Sequence, residues 1–504
     1  MSALFDSKTK SMDDRGIRAL LSDDHKYQSW LDVEAALATA QGELGVIPRE
    51  AAEQIASACQ LKNIDLAEVE KLQEKIGHGF VPFLKALVRA CPGDSGKYVH
   101  LGVTTQNIQQ SAQLLVTRKV HNKFLAVTRD ILRNLAVLAE QHNQTVMPGR
   151  THGRHAIPIT YGFKVAVWID EILSAVARLE ESEKRVFRVM MGGAVGAFNA
   201  SGNTGRKVQT RVAGLLNMRE MSVPSRNIGT HKVEYVMALS LLASVCHKLA
   251  EEVYATTLEE IGEVIEGFRS GTVGSSTMPH KINPKLAKGI IANAQKLYSL
   301  PAVMMSACCR PYEADSSSYM LLESSLREAL QLMTEIILRA EELTRCLHVN
   351  PQKMSANAEI NHGLDNSEFV MMQLASTLGK DQAHAKVYEL AIDANLNGKE
   401  FLQCLLEDKQ LSTLFTPNEL KQMLIPHNYT GESANIALEQ AQRARGVAQL
   451  REGVVRQQTR NEHLTAQLQE SRGEVKTLRA SEKALQAELL TLARVEPKGG
   501  KVTK

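Results

Sequence analysis

Aromatic residues make up only 5% of the 504 positions, and proline is scarce, with 14. Both scarcities argue against a sandwich or barrel of many short strands, while abundant Ala, Leu, Glu and Gln favour helix. Neither sign of charge is in excess, and a net charge of +3 is too small to mark a nucleic-acid binder. No run approaches 18 uninterrupted apolar residues, and residues 1–15 are too charged for a secretory leader. A soluble protein without a membrane partner is therefore expected. The seven cysteines include no Cys-x-x-Cys pair and are odd in number, which argues against a disulfide framework and points to a reducing, cytoplasmic setting. Histidine pairs four apart with an intervening glutamate are missing, as are carboxylates at calcium-loop spacing, so neither metal nor cofactor is expected.

Helical periodicity is what the chain does have. Trp30, Leu31, Val33, Ala36, Leu37 and Ala40 recur at three- and four-residue steps over 23–44, with Gly45 placed to end the helix. Shorter helices are expected over 51–59 and 65–74, and long ones over 110–143, 160–189 and 229–269. The last of these would measure about 60 Å, more than one small domain can hold, and implies a long bundle. Leu464, Leu468, Val475, Leu478, Leu485, Leu489 and Leu492 follow a heptad, read as a coiled coil or an amphipathic surface helix. The expected fold is all-α: an N-terminal helical domain over 1–107, a central bundle over 108–355, a C-terminal helical domain over 356–445 and a heptad-containing tail over 446–504.

Chemistry concentrates in three places. Residues 274–284 read Gly-Ser-Ser-Thr-Met-Pro-His-Lys-Ile-Asn-Pro, with Asn283 suited to cap a helix over 285–300 and Pro284 to open it. Free N–H groups at that helix start, with Lys281 beside them, would hold an anion. Gly271 and Gly274 offer hinge freedom, and Ser275 or Ser276 offers a hydroxyl for proton transfer. A second stretch places Thr104, Thr105 and Asn107 at a helix start, where they either cap it or grip a carboxylate. The third sets His152 among glycines, with Arg150 and Arg154 near enough to recruit an anion. The glycines at 192–196 follow no Val/Ile strand and lack dinucleotide-loop spacing.

The 274–284 string resembles the signature loop of the fumarase/aspartase superfamily, and its His280-Lys281 form is similar to the branch of adenylosuccinate lyases and 3-carboxymuconate cycloisomerases. Residues 31–38 and 45–48 resemble that branch's first domain, and 364–431 its last. Thr104, Thr105 and Asn107 fall on its Thr-Ser-x-Asp element with two residues changed, and His152 on its Thr-His element. The resemblance implies a homotetramer with shared active sites, a small dicarboxylate substrate and β-elimination through an aci-carboxylate. On that pattern Ser275 or Ser276 takes the proton, His152 protonates the leaving group, Glu263 orients it or shapes the site, and Lys281 and Asn283 hold the carboxylate. Thr104, Thr105, Asn107, His100, His78, Arg150, Thr151 and Met278 would contact substrate. The activity implied is that of a carbon–nitrogen lyase releasing fumarate, as adenylosuccinate lyases do. Alternatives are a carboxymuconate cycloisomerase and a member that kept the fold for a scaffolding role. Ala314 stands where the adenylosuccinate lyase string has arginine, and the Arg-Tyr pair that holds a nucleotide phosphate is missing near the N-terminus; both weigh against a nucleotide.

Overall fold

Ser22 opens the first long helix, α1 (Asp23–Glu43): its hydroxyl accepts the His25 N–H at 3.2 Å, and Asp23 and Asp24 follow in the first turn, where carboxylates suit the helix dipole. It stops before Gly45, whose φ of 70° is left-handed as expected. Helices Arg49–Ala58 and Leu66–Ile76 also form as expected, the second capped by Asp65 on the Glu68 N–H. In this computed structural model the described residues are 9–267 and 274–449, with Ser481 and Gln486. Residues 1–444 form one compact unit and 445–504 a second. The heptad from Leu464 onward and the Gly271 hinge lie outside the described residues.

Five helices build the centre: α2 (Thr105–Gln141), α3 (Tyr161–Val186), α4 (Thr230–Thr256), α5 (Lys285–Leu297) and α6 (Ser316–Cys346). Each turns an apolar stripe inward: Ile108, Phe124 and Leu135 on α2, Val236, Leu239 and Leu242 on α4, Leu326, Met333 and Ile336 on α6 are all 0–1% exposed. Burial of each such side chain stabilises by about 1.5–3 kcal/mol. Helix α6 packs against α2, α4 and α5, and α3 against α2 and α4.

Two expectations need correction. The helix foreseen over 229–269 is 27 residues long, ending at Thr256. There the Glu263 N–H returns to the Thr256 carbonyl at 3.0 Å and Gly262 takes a φ of 58°, which a helix cannot accommodate. The fold is also mostly, not purely, helical. Residues 146–160 make a hairpin, β1 (Val146–Thr151) with β2 (Arg154–Thr160), in the register Met147 to Ile159 and Thr151 to Arg154. After α4, β3 (Val264–Ile265) pairs antiparallel with β4 (His348–Val349), just past α6, and Arg188–Val189 pairs with Arg219–Glu220.

The helices alternate in direction, so the bundle has two distinct ends. Segments before α2, after α3, before α4 and before α6 meet at one, which we term the upper end. The hairpin, β3, β4 and the start of α5 meet at the other. Beyond the hairpin, Val370, Leu374, Phe401, Leu405 and Leu411 form a smaller core, and Asp365 reaches His155 of β2 at 3.6 Å.

Gly162, in the first turn of α3, permits close approach of three segments. A Cβ there would lie 2.7 Å from the Ala139 carbonyl oxygen and 3.0 Å from the Ala437 Cβ. Gly162→Ala is expected to lower the unfolding free energy by about 1–3 kcal/mol through overpacking. The check is a lower urea midpoint at unchanged m-value.

Candidate active site

At the lower end, His152 and Gly153 are the two loop residues of the hairpin. Their φ values of 53° and 73° match the left-handed pair that a type I′ turn requires. His152 is exposed, as are its neighbours Thr151 and Arg154, which pair across the hairpin. Arg150 does not stand ready for an external anion. Its guanidinium holds the Glu263 carboxylate with both arms, Nη1 to Oε2 at 2.9 Å and Nη2 to Oε1 at 2.6 Å. Glu263 is completely buried and also accepts Asn357 Nδ2 at 2.9 Å. A buried carboxylate demands a charged, well-aligned partner, and Arg150 is committed to that task. Glu263, expected to orient the proton transfer or to shape the site, is held by this arginine.

The signature loop sits at the same end. Ser275 Oγ accepts the N–H groups of Thr277 at 3.3 Å and Met278 at 3.1 Å, while Ser276, Met278 and Lys281 are exposed. Asn283 Nδ2 donates to the Gly274 carbonyl at 3.0 Å and closes the base of the loop. Asn283 is therefore not the cap expected of it; Pro284 occupies that position, and α5 begins at Lys285. Nor is the helix start free for a substrate anion. Glu266 already sits there, accepting the N–H groups of Leu286 at 2.9 Å and Ala287 at 2.6 Å. The positive end of the helix attracts the nearest carboxylate, and here the chain supplies its own.

At the upper end Asn107 is fully buried. Its Oδ1 accepts the Thr104 N–H at 3.0 Å and the Gly193 N–H at 3.1 Å, and its Nδ2 has no partner. An aspartate would make the same two bonds, so the change to asparagine keeps the acceptor and adds a buried donor. His100, at a left-handed φ of 62°, meets the buried Glu34 carboxylate through Nδ1 at 2.6 Å. His78 is exposed, and its Nδ1 accepts the Phe80 and Val81 N–H groups at the start of the helix Val81–Ala90. Thr104 and Thr105 are half-buried at the head of α2, beside a cleft of about 450 Å³ walled by Leu37, Leu44, Val46, Leu101 and Val103.

Several residues outside the expected site set also shape this end. Arg226 donates through Nε to Gln106 Oε1 at 2.9 Å and through Nη1 to the Ala194 carbonyl at 2.9 Å, locking the glycine turn at 192–196 onto α2. Asn227 Nδ2 holds the Tyr312 carbonyl at 2.6 Å. Asp315 caps α6 through the Ser317 N–H at 2.8 Å, and its bonds with Ser317 and Ser318 hold its carboxyl below the usual range. Lys232 is 1% exposed, with Nζ over the Tyr319 ring at 5.6 Å and no hydrogen-bond partner. Desolvation pushes its amine down to about 8, against the attraction of Glu323.

The two groups are far apart within one chain. The 37 residues of α2 span about 55 Å, with Thr104 and Asn107 at its head and the hairpin, Glu263 and signature loop beyond its foot.

Residues 10–296 match the lyase family, and residues 363–439 match the adenylosuccinate lyase C-terminus family. N-acetyl-S-(2-succino)cysteine lyase of Dickeya dadantii is 33% identical over 417 residues, 83% of this chain and 92% of its own. Adenylosuccinate lyase of Methanocaldococcus jannaschii is 34% identical over 430 residues, 84% of this chain and 92% of its own. The 3-carboxy-cis,cis-muconate lactonizing enzyme of Pseudomonas putida superposes with a TM-score of 0.78 at 27% identity, covering 85% of this chain and 97% of that structure.

Replacing Asn107 with leucine orphans two half-buried N–H groups and is expected to cost about 1–3 kcal/mol in urea unfolding. Asn107→Asp, which keeps both acceptor contacts, is expected to retain more stability than Asn107→Leu. Lys232 gives a pH signature. Between its folded value of about 8 and its ordinary 10.5 the unfolded chain binds more protons than the folded one, so stability rises with pH across that window. Lys232→Met is expected to raise the melting temperature at pH 7 and to flatten the rise between pH 8 and 10, read by calorimetry at both ends.

Proposed function

Because the chain belongs to the fumarase/aspartase lyase superfamily, we propose that it releases fumarate from a small succinyl-substituted molecule by breaking a carbon–nitrogen bond. Ser275 acts as the base. Its Oγ already accepts two backbone N–H groups, and such donors favour a negatively charged oxygen over a neutral one. It removes the proton on the carbon next to one carboxylate, and the electron pair moves into that carboxylate as an aci-carboxylate. Lys281 and Asn283 meet the growing charge. Collapse of the intermediate forms the carbon–carbon double bond and expels the nitrogen, which takes a proton from His152. Fumarate and the free amine result, with the abstracted proton on Ser275 and His152 one proton short until solvent restores both.

The observation that supports this reading most is the Ser275 oxygen with its two N–H donors, on a loop whose base Asn283 closes. A carbon acid this weak also needs a dry, cationic enclosure, yet Lys281 and His152 are exposed in a single chain. The reading therefore includes a homotetramer, in which Thr104, Thr105 and His100 of one copy face Ser275 and Lys281 of another and grip the dicarboxylate. A second reading, favoured by likeness to the muconate lactonizing enzyme and by Ala314, runs the chemistry in the adding direction, joining a carboxylate across a muconate double bond.

Ultraviolet progress curves separate these readings when adenylosuccinate, other N-substituted aspartates, an S-(2-succino)cysteine derivative and 3-carboxymuconate are compared. Fumarate from a succinylamine is the expected outcome; turnover of the thioether alone would move the bond to carbon–sulfur, and turnover of the muconate alone would favour the second reading. Ser275→Ala is expected to lower kcat by about 100- to 10,000-fold with the helical content intact. Mixing Ser275→Ala protein with a Thr104→Val, Thr105→Val double variant is expected to restore activity once subunits have exchanged. No recovery after verified exchange would sink the shared site.

A further inference from the structure

We propose that Glu263 and Glu266 are positioning residues that seat the two reacting segments, the His152 hairpin and the signature loop, on either side of strand β3. Glu263 immediately precedes the two-residue strand and Glu266 immediately follows it. Side chains alternate along a strand, so residues three apart leave on opposite faces. One carboxylate goes to the hairpin through Arg150, at 2.6 and 2.9 Å, two residues before His152. The other goes to the head of α5 through the Leu286 and Ala287 N–H groups, three and four residues past Asn283. Both are buried, at 0% and 7% exposure, so neither bond is diluted by solvent.

The strand itself has little room to shift. Its partner β4 lies at the foot of α6, and the Asn350 N–H adds a bond to the Glu263 carbonyl at 2.9 Å. Asn357 Nδ2 reaches Glu263 Oε1 and the Ile261 carbonyl, both at 2.9 Å. Immediately after Glu266, a Cβ on Gly267 would stand 2.6 Å from both the Cβ and the carbonyl oxygen of Cys346, so the backbone there rests directly on the end of α6. A strand fixed at both ends and carrying a carboxylate to each side holds both segments to one reference. Reacting groups held on such a support keep the sub-ångström placement that proton transfer requires.

The assignment of the two segments as reacting ones rests on the function proposed above, so the test has one arm that does not need activity. Hydrogen exchange of the full-length wild type, Glu263→Gln and Glu266→Gln is followed peptide by peptide. Glu263→Gln is expected to speed exchange across 146–160 and leave 285–297 as in wild type; Glu266→Gln is expected to do the reverse. Should Glu263→Gln fail to fold, Arg150→Lys, which keeps the charge but loses the two-armed geometry, reads out the same hairpin. The second arm is kinetic: each glutamine variant is expected to lose about tenfold or more in kcat with little change in KM, as misplacement of reacting groups does. Uniform acceleration across the bundle, or no change in either segment, would overturn the proposal. Wild-type protein that releases no fumarate would remove the function proposed above, while the exchange pattern would still decide whether these carboxylates seat the two segments.

Discussion

An α-helix cannot fold back on itself, and the length of α2 governs what this chain can do alone. Its 37 residues keep Thr104 and Asn107 about 55 Å from the hairpin and the signature loop. Every other helix of the bundle runs alongside and preserves that separation. On the shared site proposed above, the arrangement divides the chemistry-bearing segments into two half-sites, one built from loops at the heads of α2, α4 and α6, the other from the hairpin, β3 and the head of α5. The lower group carries Ser275, His152 and Lys281, and the upper group Thr104, Thr105 and His100.

The lower half-site is organised by ion pairing and helix-end electrostatics rather than by apolar packing. Arg150 on Glu263 and Glu266 on the head of α5 leave Lys281, Ser276 and His152 exposed at the tips of well-anchored segments. The upper half-site relies on hydrogen bonds to amide groups. Asn107, Gln106 and Arg226 stitch the glycine turn to α2, and the His100–Glu34 contact brings a buried carboxylate close. Rigid bases and open tips are what a site completed by a second surface requires.

Much of this was legible in the sequence where local rules decide the outcome. Gly45, Asp65 and the apolar period of α1 mark their helices because caps and periodicity act within a few residues. The signature loop and the head of α2 were found because small, hydroxylic and basic residues cluster there. What escaped notice depends on partners distant in sequence. Arg150 looked free because Glu263 lies 113 residues away, and the head of α5 looked open because Glu266 returns from 20 residues earlier. The hairpin at 146–160 was missed because it is short and lies between two strong helical patterns. The end of α4 was misplaced because Val264 and Ile265 continue an apolar pattern that the reversal at Gly262 has already ended. Lys232 gave no sign of burial, since a lysine reads as surface until the helices around it are known.

The position of α6 in the chain also bears on how the molecule comes to be folded. It packs against α2, α4 and α5, and Asn134 on α2 finds the Glu341 carbonyl and the Thr344 hydroxyl more than 200 residues later. During synthesis the faces of α2, α4 and α5 that α6 covers stay uncovered until residue 346 has left the ribosome. Contacts so distant in sequence close slowly, and the waiting surfaces are the kind that chaperones bind.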